Sequence, residues 1–361
     1  MKRLLFYVTI LILATILLAG CGKKEEATVG SDGVEQELVV AGNQDMTDLM
    51  NQKIFKSFQE KYPDTKVTYI PGNGAETAAK VKAQKNSPQI DVAILEINSQ
   101  IDGYNNKLWS PLNKEDIPSM NKIVHETNIP ENSGVPVFYS PHVVSYNKEL
   151  VESKGLPVLT SWNDLALPEL KGKVALQDPA GSFGRTALIM LAYANGGSES
   201  QIEPGFKKLA EIASNQSTFY KNQSFINQAL QDDSAAYTVW ALNRHHTYRE
   251  EGNLPLEFVV PKEGVYISNS GIATLVDGAK HPNAAKKFID FMLSDEVQKL
   301  LAEDLYLNPV TDVKVSSEVA KKLEFDKSNS KEFDNNVISS EFPKWLERFN
   351  QEISPLIGKD M

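Results

Sequence analysis

Val135-Pro136-Val137-Phe138-Tyr139-Ser140-Pro141-His142-Val143-Val144-Ser145-Tyr146-Asn147 is the stretch that decides how this chain is organised. It reads as one long extended segment. Pro136 and Pro141 lie inside it, and a proline within a strand run marks an edge or a bend. A strand that bends and continues can cross from one lobe of a protein to another. The residues before it and after it are therefore read as separate units.

Before it, short apolar runs alternate with helical patterns. Residues 38–41, 66–70 and 91–95 read as strands, and 77–84 as a helix. In 47–61, Leu49, Ile54, Phe55 and Phe58 fall on one helical face. This βαβαβ rhythm predicts an α/β fold with a mainly parallel sheet covered by helices. After it, strands are expected at 174–176, 236–239, 258–260 and 271–276, and helices at 186–194 and 206–213. Residues 282–301 read as one amphipathic helix, with Ala285, Phe288, Ile289, Met292 and Leu293 at helical spacing. Pro282 close to its first turn marks the start.

The N-terminus decides the compartment. Lys2 and Arg3 precede an apolar run, and Leu18-Ala19-Gly20-Cys21 closes it. Basic residues, an apolar run and small residues before a cleavage point make residues 1–20 a secretory signal. Cys21 in the next position has the pattern of a bacterial lipobox. An uncleaved anchor is the other reading of the run, and either one puts the bulk of the chain outside the cytoplasm. Residues 21–37 are polar and charged, and read as a flexible tether. Cys21 is the single cysteine, so stability has to come from an apolar core. With 361 residues and 41% hydrophobic content the chain can build two lobes. The formal charge is −10, and about −12 once Lys2 and Arg3 are removed, which argues against a nucleic-acid partner.

Several stretches together carry a family resemblance. They are Ser145-Tyr146-Asn147-Lys148, Thr160 to Leu165 with Leu170 to Val174, Pro261-Lys262-Glu263-Gly264, and the helix from Pro282 to Ser294. In order and spacing they resemble the bacterial periplasmic binding proteins of the ferric-ion, polyamine, thiamine and phosphonate group. The C-terminal helix, expected over 341–351, also fits. The resemblance implies a two-lobed type II periplasmic-binding fold with hinge crossovers and a central cleft. It places lobe I at 38–140, completed by 268–308, and lobe II at 145–264, completed by 312–361. It also implies a monomer that hands a small solute to an ABC permease and its ATPase, while the lipobox resemblance implies diacylglycerol on Cys21 and cleavage just before it. No cofactor, resident metal or catalytic residue is expected.

Candidate ligand residues follow from position and chemistry. Ligands of open α/β sheets lie beyond the carboxyl ends of strands, which selects Asn43, Asn73, Gly74 and Glu96. Asn73-Gly74 is equally a plain turn. Tyr139 sits near the crossing, to line the cleft or shape the hinge. The loop Asp178 to Thr186 leads a strand into a helix start, which favours an anion. There Gly184 allows close approach, Ser182 and Thr186 supply hydroxyls, and Arg185 supplies a fork for an oxyanion. A plain helix cap with a solvated Arg185 is the bland reading. Asn243 to Arg249 resembles the ferric-binding signature, with His245 and His246 where that signature has tyrosines. Hard Fe(III) prefers phenolate oxygen to imidazole, so the substitution turns the segment toward hydrogen bonding. Trp240 falls near a family aromatic position. Asn269, beside Ser268, stands where the polyamine branch has a carboxylate.

These features lean toward a phosphonate or phosphate-type anion. A polyamine held by Glu96 and Trp240, or a metal such as ferric ion, is the alternative. An extracellular enzyme is remote, because the chain has no Gly-X-Ser-X-Gly, His-Glu-X-X-His or Walker motif.

Overall fold

The computed structural model describes residues 27–31, 33–221 and 223–358. The signal segment and Cys21 lie outside them. No helix among the described residues is long and apolar enough to cross a membrane.

The expected tether ends earlier than residue 37. Val29 bridges Glu35, and both Val34 and Glu35 are buried. The Glu35 carboxylate accepts the backbone amides of Asn283 (3.2 Å) and Ala284 (2.6 Å) and the Asn283 side chain (3.0 Å). It thereby caps the helix Pro282–Met292, where His281 makes no side-chain cap of its own. The first amides of a helix need acceptors, and an anion suits the positive end of the dipole. A polar composition hid this because the cap is a charged residue acting from a distant part of the chain.

Among the described residues there are twelve strands in one sheet. Eight form its path: β1 (Glu37–Gly42), β2 (Lys66–Pro71), β3 (Val92–Leu95), β5 (Val135–Asn147), β6 (Val174–Gln177), β7 (Thr218–Tyr220), β8 (Tyr237–Ala241) and β10 (Val265–Val276). The short strands β4 (Trp109–Ser110), β9 (Leu256–Val259), β11 (Asn308–Pro309) and β12 (Ser330–Lys331) add to β5 and β10. The order is β2-β1-β3-β10-β5-β8-β6-β7. At each end three strands run parallel, β2-β1-β3 and β8-β6-β7. The two long central strands run antiparallel to each other and to their neighbours β3 and β8. The sheet is thus mixed, with the expected parallel character confined to its two ends.

β5 is central, although its prolines suggested an edge or a bend. The register explains how they are tolerated. Ser268 opposes Ser140 and Gly271 opposes Phe138, so Asn269 and Ser270 face Tyr139 alone, and a second shift follows at Gly271. Such bulges interrupt the ladder and bend the strand, which is where a proline costs least. At Gly271 a Cβ would stand 2.5 Å from the Phe138 ring, so only glycine fits.

Two apolar cores share these strands. One draws on residues from Val34 to Tyr139 and from Ile267 to Val310. The other draws on Val144 to Val239 and on Phe333 to Ile353, with Tyr266 between. β5 leaves the first core after Tyr139 and enters the second at Val144. β10 does the reverse, and 311–332 carries the chain across a third time.

Two helical expectations change in extent. The helix read over 282–301 is two, Pro282–Met292 and Asp295–Leu305, because Ser294 caps a new start by accepting the Val297 amide (3.3 Å). The C-terminal helix begins at Asn335, six residues earlier than the sequence pattern showed, capped by Asp334.

Candidate functional site

The carboxyl ends of β1, β2, β3, β6 and β8 face a cleft of about 1120 Å³ between the two cores. From the first lobe Asn43, Asn73, Gly74 and Glu96 line it; from the second, Ser182 and Asn243; from the crossing strand, Ser268. Each lobe-one group is fixed by local chemistry. Asn43 accepts the Asp45 amide (3.0 Å) while its carbonyl receives the Tyr69 hydroxyl (2.7 Å). Asn73 and Glu76 form a reciprocal capping box on the helix Gly74–Ala83. At Gly74 a Cβ would lie 2.8 Å from Ser99 Oγ, so a side chain there would displace that hydroxyl. Glu96 precedes the helix Ile97–Asn105 and, among the described residues, receives only a long bond from Ser99 Oγ, at 3.4 Å.

A small inner pocket of about 10 Å³ opens beside the cleft, lined by Glu96, Ser182, Arg185, Thr186, Tyr266 and Ser268 among others. Arg185 is only 7% exposed. Its guanidinium lies 4.7 Å over the Phe342 ring, and no carboxylate of the described residues comes within ion-pair reach of it. In the same helical turn the Phe183 amide donates to Gln177 Oε1 (3.1 Å) and the Arg185 amide to the Gly181 carbonyl (3.1 Å), so the helix start is partly satisfied from within. Gly184 does not face the ligand space. A Cβ there would meet the Gln177 and Asp178 carbonyls at 2.1 and 2.3 Å, so this glycine lets the helix pack on the end of β6.

Five further candidates point elsewhere. Trp240 is buried and donates through Nε1 to Ser145 Oγ (2.6 Å). That hydroxyl in turn meets His245 Nδ1 at 3.1 Å. His246 Nε2 donates to the Lys322 carbonyl (2.7 Å). On the helix Leu242–Glu250 and just past it, Asn243, Arg244, Thr247, Tyr248 and Glu251 face the cleft, which is one helical stripe, and the histidine pair lies off it. Asn269 Oδ1 is held by His125 (3.0 Å) and Thr127 (3.0 Å), because strand alternation turns it away from the cleft that Ser268 faces. Tyr139 is buried against His125, ring centroids 3.8 Å apart.

The structure adds residues that the sequence reading left out. His142, on β5, lines the cleft with Nδ1 2.8 Å from Thr186 Oγ1. Burial, reinforced by the Arg185 and Arg244 charges, pushes its pKa down to about 3, so the ring is neutral. Arg244 pairs with Asp45 across the cleft, joining the two lobes directly. The stripe 243, 244, 247, 248, 251 is visible as a spacing in the sequence. His142 has no such signal, since its role depends on two distant elements meeting.

The bacterial extracellular solute-binding protein family matches residues 53–326. The chain belongs to that family. An uncharacterised protein of Haemophilus influenzae is 30% identical over 287 residues, covering 76% of this chain and 78% of that one. The spermidine/putrescine-binding periplasmic protein of Salmonella typhimurium is 28% identical over 172 residues, 47% of each chain. Among solved structures, a periplasmic binding protein of Actinobacillus pleuropneumoniae with fructose-6-phosphate bound superposes with a TM-score of 0.70 at 25% identity, covering 88% of this chain and 98% of that one. The fold is thus that of the type II periplasmic binding proteins, with the cleft lying between its two lobes.

The buried imidazoles predict that stability falls in acid. Burial is the main cause that lowers His142 and His245 to about 3 and His246 to about 4. Below the unfolded value near 6.5 the unfolded chain takes up protons that the folded chain refuses, so stability falls as pH drops. Each contributes a loss of about 2 kcal/mol between pH 7 and pH 5. Urea unfolding across that range should show the slope, and His246→Gln should reduce proton uptake on unfolding at pH 5.5 by about one. An unchanged slope in that variant contradicts the assignment.

Proposed function

We propose that this chain captures a small solute bearing an oxyanion, of the phosphonate or phosphate type, and delivers it to an ABC permease and its ATPase. The observation that carries the ligand class is Arg185. A buried cation without a carboxylate is costly, and a bound oxyanion supplies the missing charge together with the Ser182 hydroxyl at the helix start. Asn269 and the two histidines no longer bear on the ligand, because they face away from the cleft. A polyamine is disfavoured on two other grounds. Trp240 is unavailable to stack on a methylene chain, and a dication would meet Arg185. The phosphorylated sugar named for the Actinobacillus pleuropneumoniae structure agrees with an oxyanion.

Two lobes joined by β5, β10 and 311–332 close on such a solute, and the closed form is what the permease reads. The Leu18-Ala19-Gly20-Cys21 pattern supports a diacylglycerol anchor that keeps the mature chain on the outer face of the membrane. Cys21→Ser should leave the precursor unprocessed or release the protein, read by mass and by membrane fractionation; retention with an unchanged mass contradicts the anchor.

The ligand is identified by native mass spectrometry of what co-purifies, and its affinity by calorimetry. A charge-assisted bond is worth about 1.5–3 kcal/mol, so Arg185→Gln should weaken binding roughly ten- to a hundredfold. Unchanged affinity in a folded Arg185→Gln protein overturns the oxyanion reading.

A further inference from the structure

The groups around the inner pocket are unequal in kind. Arg185, Ser182, Ser268 and Tyr266 offer donors, and the Tyr266 hydroxyl stays protonated because burial raises its pKa. Glu96 is the one carboxylate there. It comes from the first lobe, Arg185 from the second, and the two make no ion pair with each other. Glu96, Ser182 and Ser268 also line the large cleft, so a solute seated there reaches all three.

Charge in the wider cleft points the same way. Lys53 is paired with Asp304 and Arg244 with Asp45. Of the charged lining residues that remain, Asp48, Glu76, Glu96 and Glu251 face only the exposed Lys221, and Arg185 stands behind them in the inner pocket that Glu96, Ser182 and Ser268 share with the cleft. A lone anion compensates Arg185 and leaves Glu96 in an acidic cleft. A diamine compensates Glu96 and leaves Arg185. Either one leaves a partly or fully buried charge without its counterpart.

Resting on the oxyanion reading above, we propose that the solute is amphoteric: an oxyanion with an ammonium group a few bonds away, the oxyanion on Arg185 and the ammonium on Glu96. Each end then neutralises one lobe, so both charges are satisfied only when the lobes close around the same molecule. Glu96 is the residue that separates such solutes from simple anions.

A length-matched trio tests this by calorimetry: 3-aminopropylphosphonate, propylphosphonate and 1,3-diaminopropane, against the wild type, Glu96→Gln and Arg185→Gln. Glu96→Gln is close to isosteric, and circular dichroism checks that it folds. The aminophosphonate should bind at least about tenfold more tightly than either single-charge compound. Glu96→Gln should bring it down to the level of propylphosphonate while leaving propylphosphonate unchanged or tighter. Equal binding of the two phosphonates, both indifferent to Glu96→Gln, overturns the ammonium site and leaves the oxyanion reading standing. Tight diaminopropane binding with no effect of Arg185→Gln overturns both, and no binding by any of the three overturns the amphoteric assignment.

Discussion

The antiparallel pairing of β5 with β10 is the constraint on which the rest of this structure depends. Both strands begin in one core and end in the other, so the two lobes share a continuous sheet while their apolar contents stay separate. The parallel trios on either side are oriented by that pair, and their carboxyl ends meet across the cleft. The bulge at Asn269 and Ser270 sets which side chains reach it. Ser268 and Ser270 line the cleft, while Asn269 is held from behind by His125 and Thr127. One residue of register would exchange those faces.

Electrostatics then gives the cleft its direction. Asp45 and Arg244 join the lobes at the cleft with half-exposed and largely buried partners, a contact of the kind that contributes at most about 1 kcal/mol in water. It ties the lobes across the cleft only weakly. The larger imbalance lies deeper, where Arg185 is buried with an aromatic ring for company and no counter-ion among the described residues. A ligand shifts a two-state equilibrium only by its differential affinity for the two states. A solute that touches both lobes has that differential, because half its contacts exist only when the lobes meet.

Much of this was legible in the sequence. The strand–helix alternation before Val135 located β1, β2 and β3, and the rule that ligands sit beyond strand ends selected Asn43, Asn73, Gly74 and Glu96, all of which line the cleft. The Asp178 to Thr186 loop brought Ser182, Arg185 and Thr186 to the inner pocket. The misses have physical causes. Asn269-Ser270-Gly271 has the composition of a turn, so β10 read as starting at 271, whereas those residues are a bulge inside a strand that starts at Val265. His245 and His246 drew notice by type, but the stripe of the helix Leu242–Glu250 that faces the cleft runs through Arg244 and Tyr248. Trp240 was placed by family analogy, and strand alternation turned it toward Ser145. Glu35 and His142 act through partners more than forty residues away, and local pattern carries no trace of such meetings.

A crystal structure of the protein with its co-purified solute tests the central claim most directly. The account predicts a closed molecule with the oxyanion within hydrogen-bond distance of the Arg185 guanidinium and the Ser182 hydroxyl, and with lobe-one contacts from Glu96 on the same molecule. A solute held wholly by one lobe, or one that leaves Arg185 stacked on Phe342 with no new partner, would contradict it.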